Sequence, residues 1–261
     1  MILTSATLST DQGFAYVKQR LGVVDARELG LGSPFDYKRS TLVLLPTDIP
    51  EPNQAGYAAA LQESIIDLVR ASEGRALVLF TSHAALRTAY NGVKRPLEEQ
   101  KILVLGQGID GTPKQLLGAL RDSHRTVVLG AASFWEGVDV TGEALSLLVV
   151  TRLPFAVPSD PVYQARSELF DMPFEQYAVP QAILRFKQGF GRLIRRKTDR
   201  GVIAVLDRRL RTKQYGESFI RSLPPCTLRE APMRELSDEV AAWLARPMAG
   251  ASLSTPQERA P

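Results

Sequence analysis

The chain has 261 residues, of which 44% are hydrophobic, so it is long enough for one large domain with a substantial core. Its longest apolar run, residues 144–150, is far too short to cross a bilayer, and its first residues lack the charged and apolar regions of a signal peptide. The single cysteine, Cys226, excludes an intrachain disulfide, a zinc ribbon and a four-thiolate iron–sulfur cluster within this chain. We therefore expect a cytoplasmic protein that does not contact membranes and holds no metal of its own.

The net charge of +4 is unevenly distributed. Residues 185–213 contain eleven Lys and Arg against only Asp199 and Asp207, so the rest of the chain is net acidic. This asymmetry indicates that a polyanion, either a nucleotide or a nucleic acid, binds at one site. A solvated charged face on a pair of helices is the alternative.

Short apolar segments alternate with helical patterns through the middle of the chain. The patterns predict strands at 40–45, 75–80, 101–105, 125–129, 144–150 and 201–206, and helices at about 57–71, 82–100, 113–121, 161–170 and 180–194. The strands are continuously apolar, as expected when both faces of a sheet are covered. We predict an α/β fold with a parallel sheet flanked by helices, in which ligands bind beyond the carboxyl ends of the strands.

The two ends depart from this alternation. Residues 1–8 form a strand-like stub with no sheet of their own. A short helix near 235–244 leads into a Pro/Ala/Ser-rich tail that we expect to be disordered.

The most informative segment is QGFGRLIR at residues 188–195. If the preceding helix continues through it, Gln188, Arg192 and Arg195 stand at i, i+4 and i+7 and project from one face. Two planar guanidiniums suit phosphate oxygens, and an arginine presented to a γ-phosphate can accelerate phosphoryl transfer by orders of magnitude. Gly189 and Gly191 are poor helix formers, so we expect something to approach the backbone closely there. A solvated basic helix face is the alternative.

Two strand ends carry further candidates. Thr81 and Ser82 open a helix directly after a strand, where hydroxyls and free N–H groups suit a nucleic-acid phosphate, although a plain serine N-cap fits equally well. After strand 125–129, a tight turn is bracketed by Glu136, Gly137 and Asp139, and a carboxylate there can hold a ribose hydroxyl or pair with a nearby arginine. Trp135, just before that turn, fits a core residue better than a lid.

Residues 106–111 match the dinucleotide-binding pattern GxGxxG between a strand and a helix. The match is weak, because the helix begins only at about Pro113 and the next strand does not end in a ribose-binding acid. No GxxxxGK[ST] segment occurs in the chain, so the arginines form one half of a phosphate site whose other half is missing.

Four segments of the chain resemble, in order, motifs III, IV, V and VI of superfamily-two helicases. They are residues 3–8, 77–82, 133–139 and 188–195. Further phrases at 33–37, 153–160 and 187–194 make the chain similar to DinG/XPD-like DNA helicases, over residues 1–224.

The resemblance implies the second RecA-like lobe of such a helicase, a P-loop NTPase type of sheet without its P-loop. Residues 1–29 would be the end of the first lobe and a connector, residues 30–224 the second lobe, and residues 225–261 the C-terminal helix and disordered tail. The implied function is ATP hydrolysis at the cleft between two lobes, coupled to movement along single-stranded DNA.

The resemblance also implies a role for each candidate residue. Arg192 and Arg195 would be arginine fingers, and Gln188 would sense the nucleotide or orient water. The nucleotide side of the cleft would be lined by Glu136, Gly137, Asp139 and Gly191. Ser5 and Thr7 would couple the lobes, and Thr81 and Ser82 would touch the DNA backbone. ATP would bring Mg²⁺ whose ligands lie on the first lobe, which would join this monomeric chain in cis or in trans.

Two rival interpretations remain. The chain can be a non-catalytic module that binds nucleic acid or a partner protein, derived from a degenerate helicase. The GxGxxG segment would instead make it a dinucleotide-binding oxidoreductase domain.

Overall fold

The computed structural model describes residues 2–5, 7–10, 13–135 and 145–246. Within these ranges one sheet contains β1 (Thr41–Pro46), β2 (Ala76–Leu79), β3 (Leu103–Gly106), β4 (Thr126–Gly130), β5 (Leu147–Val150), β6 (Gly201–Val205) and β7 (Thr227–Ala231). The helices are α1 (Ala15–Leu21), α2 (Tyr37–Ser40), α3 (Tyr57–Ala71), α4 (His83–Glu98), α5 (Pro113–Asp122), α6 (Ala132–Trp135), α7 (Pro161–Ser167), α8 (Val179–Phe190), α9 (Arg209–Thr212), α10 (Gln214–Arg221) and α11 (Leu236–Leu244). A π-helix (Phe174–Ala178) precedes α8, and a 3₁₀ turn (Met233–Glu235) precedes α11.

The strands lie in the order β3-β4-β2-β5-β6-β1-β7, and every described pair is parallel. Helices connect the strands, as parallel pairing requires. The predicted helix-flanked parallel sheet is therefore confirmed.

Alternating residues of each strand enter two different cores. In β1, Leu42 and Leu44 face α3, α4 and α11, while Val43 and Leu45 face α5, α8 and α10. Both faces of the sheet are therefore covered, which is why the strands read as unbroken apolar runs.

The strand β7 was not predicted. It pairs with β1 at the edge of the sheet, within the segment that the sequence assigned to a C-terminal helix and tail. Its sequence, TLREA, mixes polar and apolar residues, and only Ala231 of this edge strand is buried. Leu236, Val240 and Trp243 of α11 then pack into the core beside α3, so residues 227–244 complete the domain.

The N-terminal segment differs from its prediction in another way. Residues 2–5 and 7–10 form no strand, and Thr10 is in an isolated bridge with Gly13. Among the described residues, no helix is both long enough and apolar enough to cross a membrane.

Candidate functional site

The helix α8 carries the arginine segment, and it ends earlier than predicted. Its last helical residue is Phe190, and a tight turn follows in which Arg192 N–H donates to the carbonyl of Gly189 (3.1 Å) and Leu193 N–H to that of Phe190 (3.3 Å). The prediction that one helix face presents Gln188, Arg192 and Arg195 is therefore wrong. Leu193 turns into the core instead, where its side chain packs directly on the backbone of Gly201 at the start of β6.

The turn fixes the two arginines differently. The partly buried Arg192 donates from Nη2 to the carbonyl oxygen of Trp135 at 3.2 Å. The side chain of Arg195 is exposed, and its backbone N–H donates to Oδ2 of Asp199 at 2.8 Å. The same oxygen accepts the N–H of Arg196 at 2.7 Å. The buried Asp199 thus shapes the loop by binding the backbone.

Gln188 is the last polar residue of α8. Its side-chain oxygen is buried and has no hydrogen-bond partner among the described residues. An unpaired buried acceptor costs about 1–3 kcal/mol, so this oxygen is ready to accept from a donor that enters the site.

Trp135 connects three of the segments singled out in the sequence. The ring is buried, with only 3% of the residue exposed, in agreement with its prediction as a core residue. Its Nε1 donates to the carbonyl of Phe80, at the end of the segment 77–82, and its own carbonyl accepts from Arg192. Trp135 itself belongs to segment 133–139. The three segments therefore meet at one residue, through its ring nitrogen and its backbone carbonyl.

Gly189 in α8 and Gly191 just after it differ in how much space surrounds them. A Cβ at Gly189 would lie 3.1 Å from the ring of Trp135 and 3.3 Å from a methyl of Leu79. The close approach predicted at Gly189 is thus made by the protein itself. A Cβ at Gly191 would come no nearer than 3.5 Å to the carbonyl of Lys187, an ordinary contact. Its role in nucleotide binding stays a prediction.

Three nucleotide-side candidates, Glu136, Gly137 and Asp139, lie outside the described residues. The structure places only the start of their segment, in α6. Their roles stay predictions.

Ser82 is the N-cap of α4. Its Oγ accepts the N–H of Ala85 at 3.2 Å, which is the plain capping role. Ser82 is nevertheless exposed and Thr81 partly buried, at the carboxyl end of β2. Contact of either residue with DNA stays a prediction.

The N-terminal candidates Ser5 and Thr7 precede a contact with α8. Ser5 Oγ accepts the N–H of Thr7 at 3.3 Å. Two residues on, Ser9 accepts the ammonium of Lys187, whose Nζ lies 2.6 Å from its carbonyl and 3.2 Å from its hydroxyl. The sequence analysis missed this contact.

The basic stretch 185–213 does not form one surface. The strand β6 runs through its middle, so residues 192–200 lie at the amino end of that strand and residues 207–213 at its carboxyl end. In the second half, Arg211 pairs with Glu230 (2.5 Å) and Lys213 with Glu51 (3.6 Å).

Asp207, at the carboxyl end of β6, is a second residue that the sequence analysis did not single out. Its carboxylate is almost fully buried and accepts from the guanidinium of Arg209 (2.7 Å) and the backbone N–H of Leu153 (2.8 Å). Burial lowers the pKa of Arg209, but its hydrogen bond and ion pair with Asp207 outweigh this and raise that pKa overall. Through the N–H of Leu153, Asp207 joins the carboxyl ends of the neighbouring strands β5 and β6.

The GxGxxG loop closes on itself. Oδ2 of Asp110 accepts the N–H of Gly106 at 2.8 Å, and the N–H of Gly108 donates to the carbonyl of Gly111. The next helix begins only after Thr112, whose hydroxyl caps it. Because the loop's own groups take these donors, a dinucleotide pyrophosphate finds few of the N–H groups it requires.

Comparison with known proteins shows which family this chain matches. A family model described as the helicase C-terminal domain matches residues 65–226. The chain is 39% identical over 227 residues to the ATP-dependent DNA helicase YoaA of Haemophilus influenzae, covering 85% of this chain and 35% of that protein. It is 36% identical over 251 residues to the 3'-5' exonuclease DinG of Bacillus subtilis, covering 92% of this chain and 27% of that protein. The chain therefore spans about a third or less of the length of these relatives.

A solved structure of an XPD helicase superimposes on 74% of this chain and 36% of its own, with a TM-score of 0.58 at 15% identity. At this identity the likeness concerns the fold, a RecA-like sheet with flanking helices. The family match covers more than half of the chain and includes the junction at Trp135. The chain therefore belongs to the helicase C-terminal domain family, as a RecA-like second lobe of the DinG/XPD-like type.

Proposed function

We propose that the chain forms the second lobe of an ATP-dependent DNA helicase, in which Arg192 and Arg195 act on the γ-phosphate of ATP bound by a first lobe. The observation that carries the proposal is the junction at Trp135. There, the turn bearing Arg192 is held against the first residues of segment 133–139. A permanently charged, planar guanidinium fixed at such a junction suits the charge that develops on a transferring phosphoryl group.

The residues around the turn fit a nucleotide and a water molecule. The buried oxygen of Gln188 accepts hydrogen bonds only, so it suits an attacking water or a nucleotide hydroxyl, both of which donate. Glu136, Gly137, Asp139 and Gly191 are proposed to line the nucleotide side. Within the described ranges no group of three or more His, Cys, Asp or Glu could hold a metal ion, and the proposal assigns the Mg²⁺ ligands to the first lobe.

DNA would be bound mainly through its backbone, so these contacts would have modest sequence specificity. Thr81 and Ser82 would donate to phosphates, while exposed basic residues of the 195–197 loop would add salt-sensitive attraction. Ser5 and Thr7 would transmit changes between the lobes. The proposal places a monomeric chain in the cytoplasm, where it joins the first lobe.

The test compares the isolated chain with an assembly. The part of YoaA or DinG that this chain does not match supplies the first lobe, either as a separate polypeptide or fused in place of the relative's own matching segment. We expect negligible Mg²⁺-dependent ATP hydrolysis by the chain alone and DNA-stimulated hydrolysis by the assembly. Turnover by the pure chain that Arg192→Ala abolishes would falsify this division of the site.

Arginine variants test the assigned roles within the assembly. Arg192→Ala and Arg195→Ala should each lower kcat by about 10³-fold or more if they are arginine fingers. Arg192→Lys should restore little, because an ammonium cannot reproduce the planar fork. Arg95→Ala, which removes an exposed arginine paired with Glu99 on α4, is the matched control and should leave kcat unchanged.

The rival function is a binding module without catalysis. It is favoured if a correctly folded assembly hydrolyses no ATP while the chain still binds single-stranded DNA. Binding itself should weaken steeply between low and moderate salt, and salt-independent binding would contradict the DNA contact in either case.

A further inference from the structure

The contact between Lys187 and Ser9 belongs to a longer strap. Its described residues, 9–10 and 13–20, lie alongside the π-helix and α8, with the later residues nearer the start of α8. Ser9 meets Lys187 near the end of α8, and Arg20 lies over the ring of Tyr177 in the π-helix, 5.3 Å from its centroid.

The middle of the strap is also attached. Tyr16 of α1 is buried, and it lines a small cavity together with Met172, Gln176 and Pro180 at the start of α8. Burial raises the pKa of its hydroxyl to about 12, as expected for a ring enclosed between elements. The strap is therefore held at both ends and at its centre.

We propose that Lys187 is a positioning residue, which ties the motif III-like segment 3–8 to the turn that carries Arg192. Four residues separate Lys187 from Arg192, and the carbonyl of Lys187 accepts the N–H of Gly191 at 2.9 Å, the first hydrogen bond of that turn. A shift of the strap therefore acts on the residue that begins the arginine turn. The assignment rests on the proposed function.

The contact has the chemistry of a specific tether. The ammonium binds both the carbonyl and the hydroxyl of one residue, 178 positions away in sequence. Burial lowers the pKa of Lys187, in keeping with a partly desolvated ammonium. Hydrogen bonds from a charged donor are stronger than neutral ones. The contact of Lys187 with Ser9 is therefore stronger than a hydrogen bond between uncharged groups.

The first arm of the test uses the isolated chain. Lys187→Met keeps the apolar stem and removes the ammonium, Lys187→Arg keeps the charge, and Lys114→Met removes an exposed lysine of α5 as the control. Hydrogen exchange of the amides in residues 13–22 should accelerate about tenfold or more in Lys187→Met, the loss expected for a hydrogen bond to a charged group. It should stay near wild type in the other two variants. Equal exchange in Lys187→Met and wild type would overturn the tether.

The second arm uses the two-lobe assembly. Lys187→Met should lower kcat and the stimulation by single-stranded DNA at least fivefold while KM for ATP stays within twofold, and Lys187→Arg should restore most of kcat. A tether with only a structural role would loosen the strap without changing kcat, and that result overturns the positioning role. If the wild-type assembly is silent while Lys187→Met still loosens the strap, the proposed function fails and the tether stands.

Discussion

Gly189 and Gly191 form a matched pair of substitutions two residues apart. A Cβ at Gly189 would lie 3.1 Å from the Trp135 ring and 3.3 Å from Leu79, closer than the 3.5–4.0 Å of a comfortable carbon contact. Overpacking of this kind costs about 1–3 kcal/mol, whereas replacing a helical glycine by alanine gains about 1 kcal/mol. We therefore expect Gly189→Ala to lower the free energy of unfolding by about 1 kcal/mol.

Gly191→Ala should behave in the opposite way. The φ of Gly191 is −65°, which alanine adopts readily, and its Cβ would meet only ordinary contacts. The substitution should stabilise the fold by about 0.4–1 kcal/mol through the unfolded state. In the two-lobe assembly, however, it should raise KM for ATP if the nucleotide approaches this backbone.

Urea unfolding of the isolated chain measures the difference between the two variants, which should be about 1–2 kcal/mol. Thermal unfolding should separate them by several degrees, at about 2–4 °C per kcal/mol for a domain of this size. If Gly189→Ala proves as stable as Gly191→Ala, then Trp135 does not pack against α8 as described, and the three segments do not meet at Trp135.

Three further predictions concern other parts of the molecule. Asp207→Asn leaves the guanidinium of Arg209 without its buried carboxylate, so it should lower the free energy of unfolding by about 3 kcal/mol. The control Glu99→Gln, in an exposed pair, should lower it by at most about 0.5 kcal/mol. Equal losses for the two variants in urea titrations would contradict this. Burial raises the pKa of Cys226 to about 11, so iodoacetamide should alkylate it about 100-fold more slowly at pH 8 in the folded chain than in urea, and similar rates would contradict the burial. Neutralising Arg196 and Lys197 together should reduce the salt dependence of single-stranded DNA binding by about 1.4 units of slope; an unchanged slope would remove this loop from the DNA path.

Much of the fold followed from the apolar runs. Strands buried on both faces, such as β1 and β6, leave a clear pattern because nearly every residue is apolar. The strand β7 lies at the sheet edge and carries Arg229 and Glu230, so its burial does not appear in the sequence. Its pairing with β1 is a tertiary effect that local patterns do not contain.

The sequence supplied candidate residues for the site, whose roles stay predictions, but not their geometry. The helix α8 ends at Phe190, just before Gly191, and Leu193 then packs on Gly201 at the start of β6. Likewise, the partner that approaches Gly189 is Trp135, 54 residues earlier in the chain. The first contact spans a loop of seven residues and the second joins distant segments, and a single sequence gives no means of pairing either.

Because β6 divides the basic stretch 185–213, its two halves differ in the partners of their charged side chains. Taken together, the excess of positive residues suggested one polyanion site, but after β6 three of them pair with acidic residues: Arg209 with Asp207, Arg211 with Glu230 and Lys213 with Glu51. The half before β6 has its backbone organised by Asp199, while Arg195, Arg196 and Lys197 remain exposed. We therefore propose that an external anion contacts this stretch at the exposed loop after α8. This loop begins at the junction of Trp135 and Arg192, so the residues proposed for ATP and those proposed for DNA share one short turn, whose orientation the Lys187 tether can set.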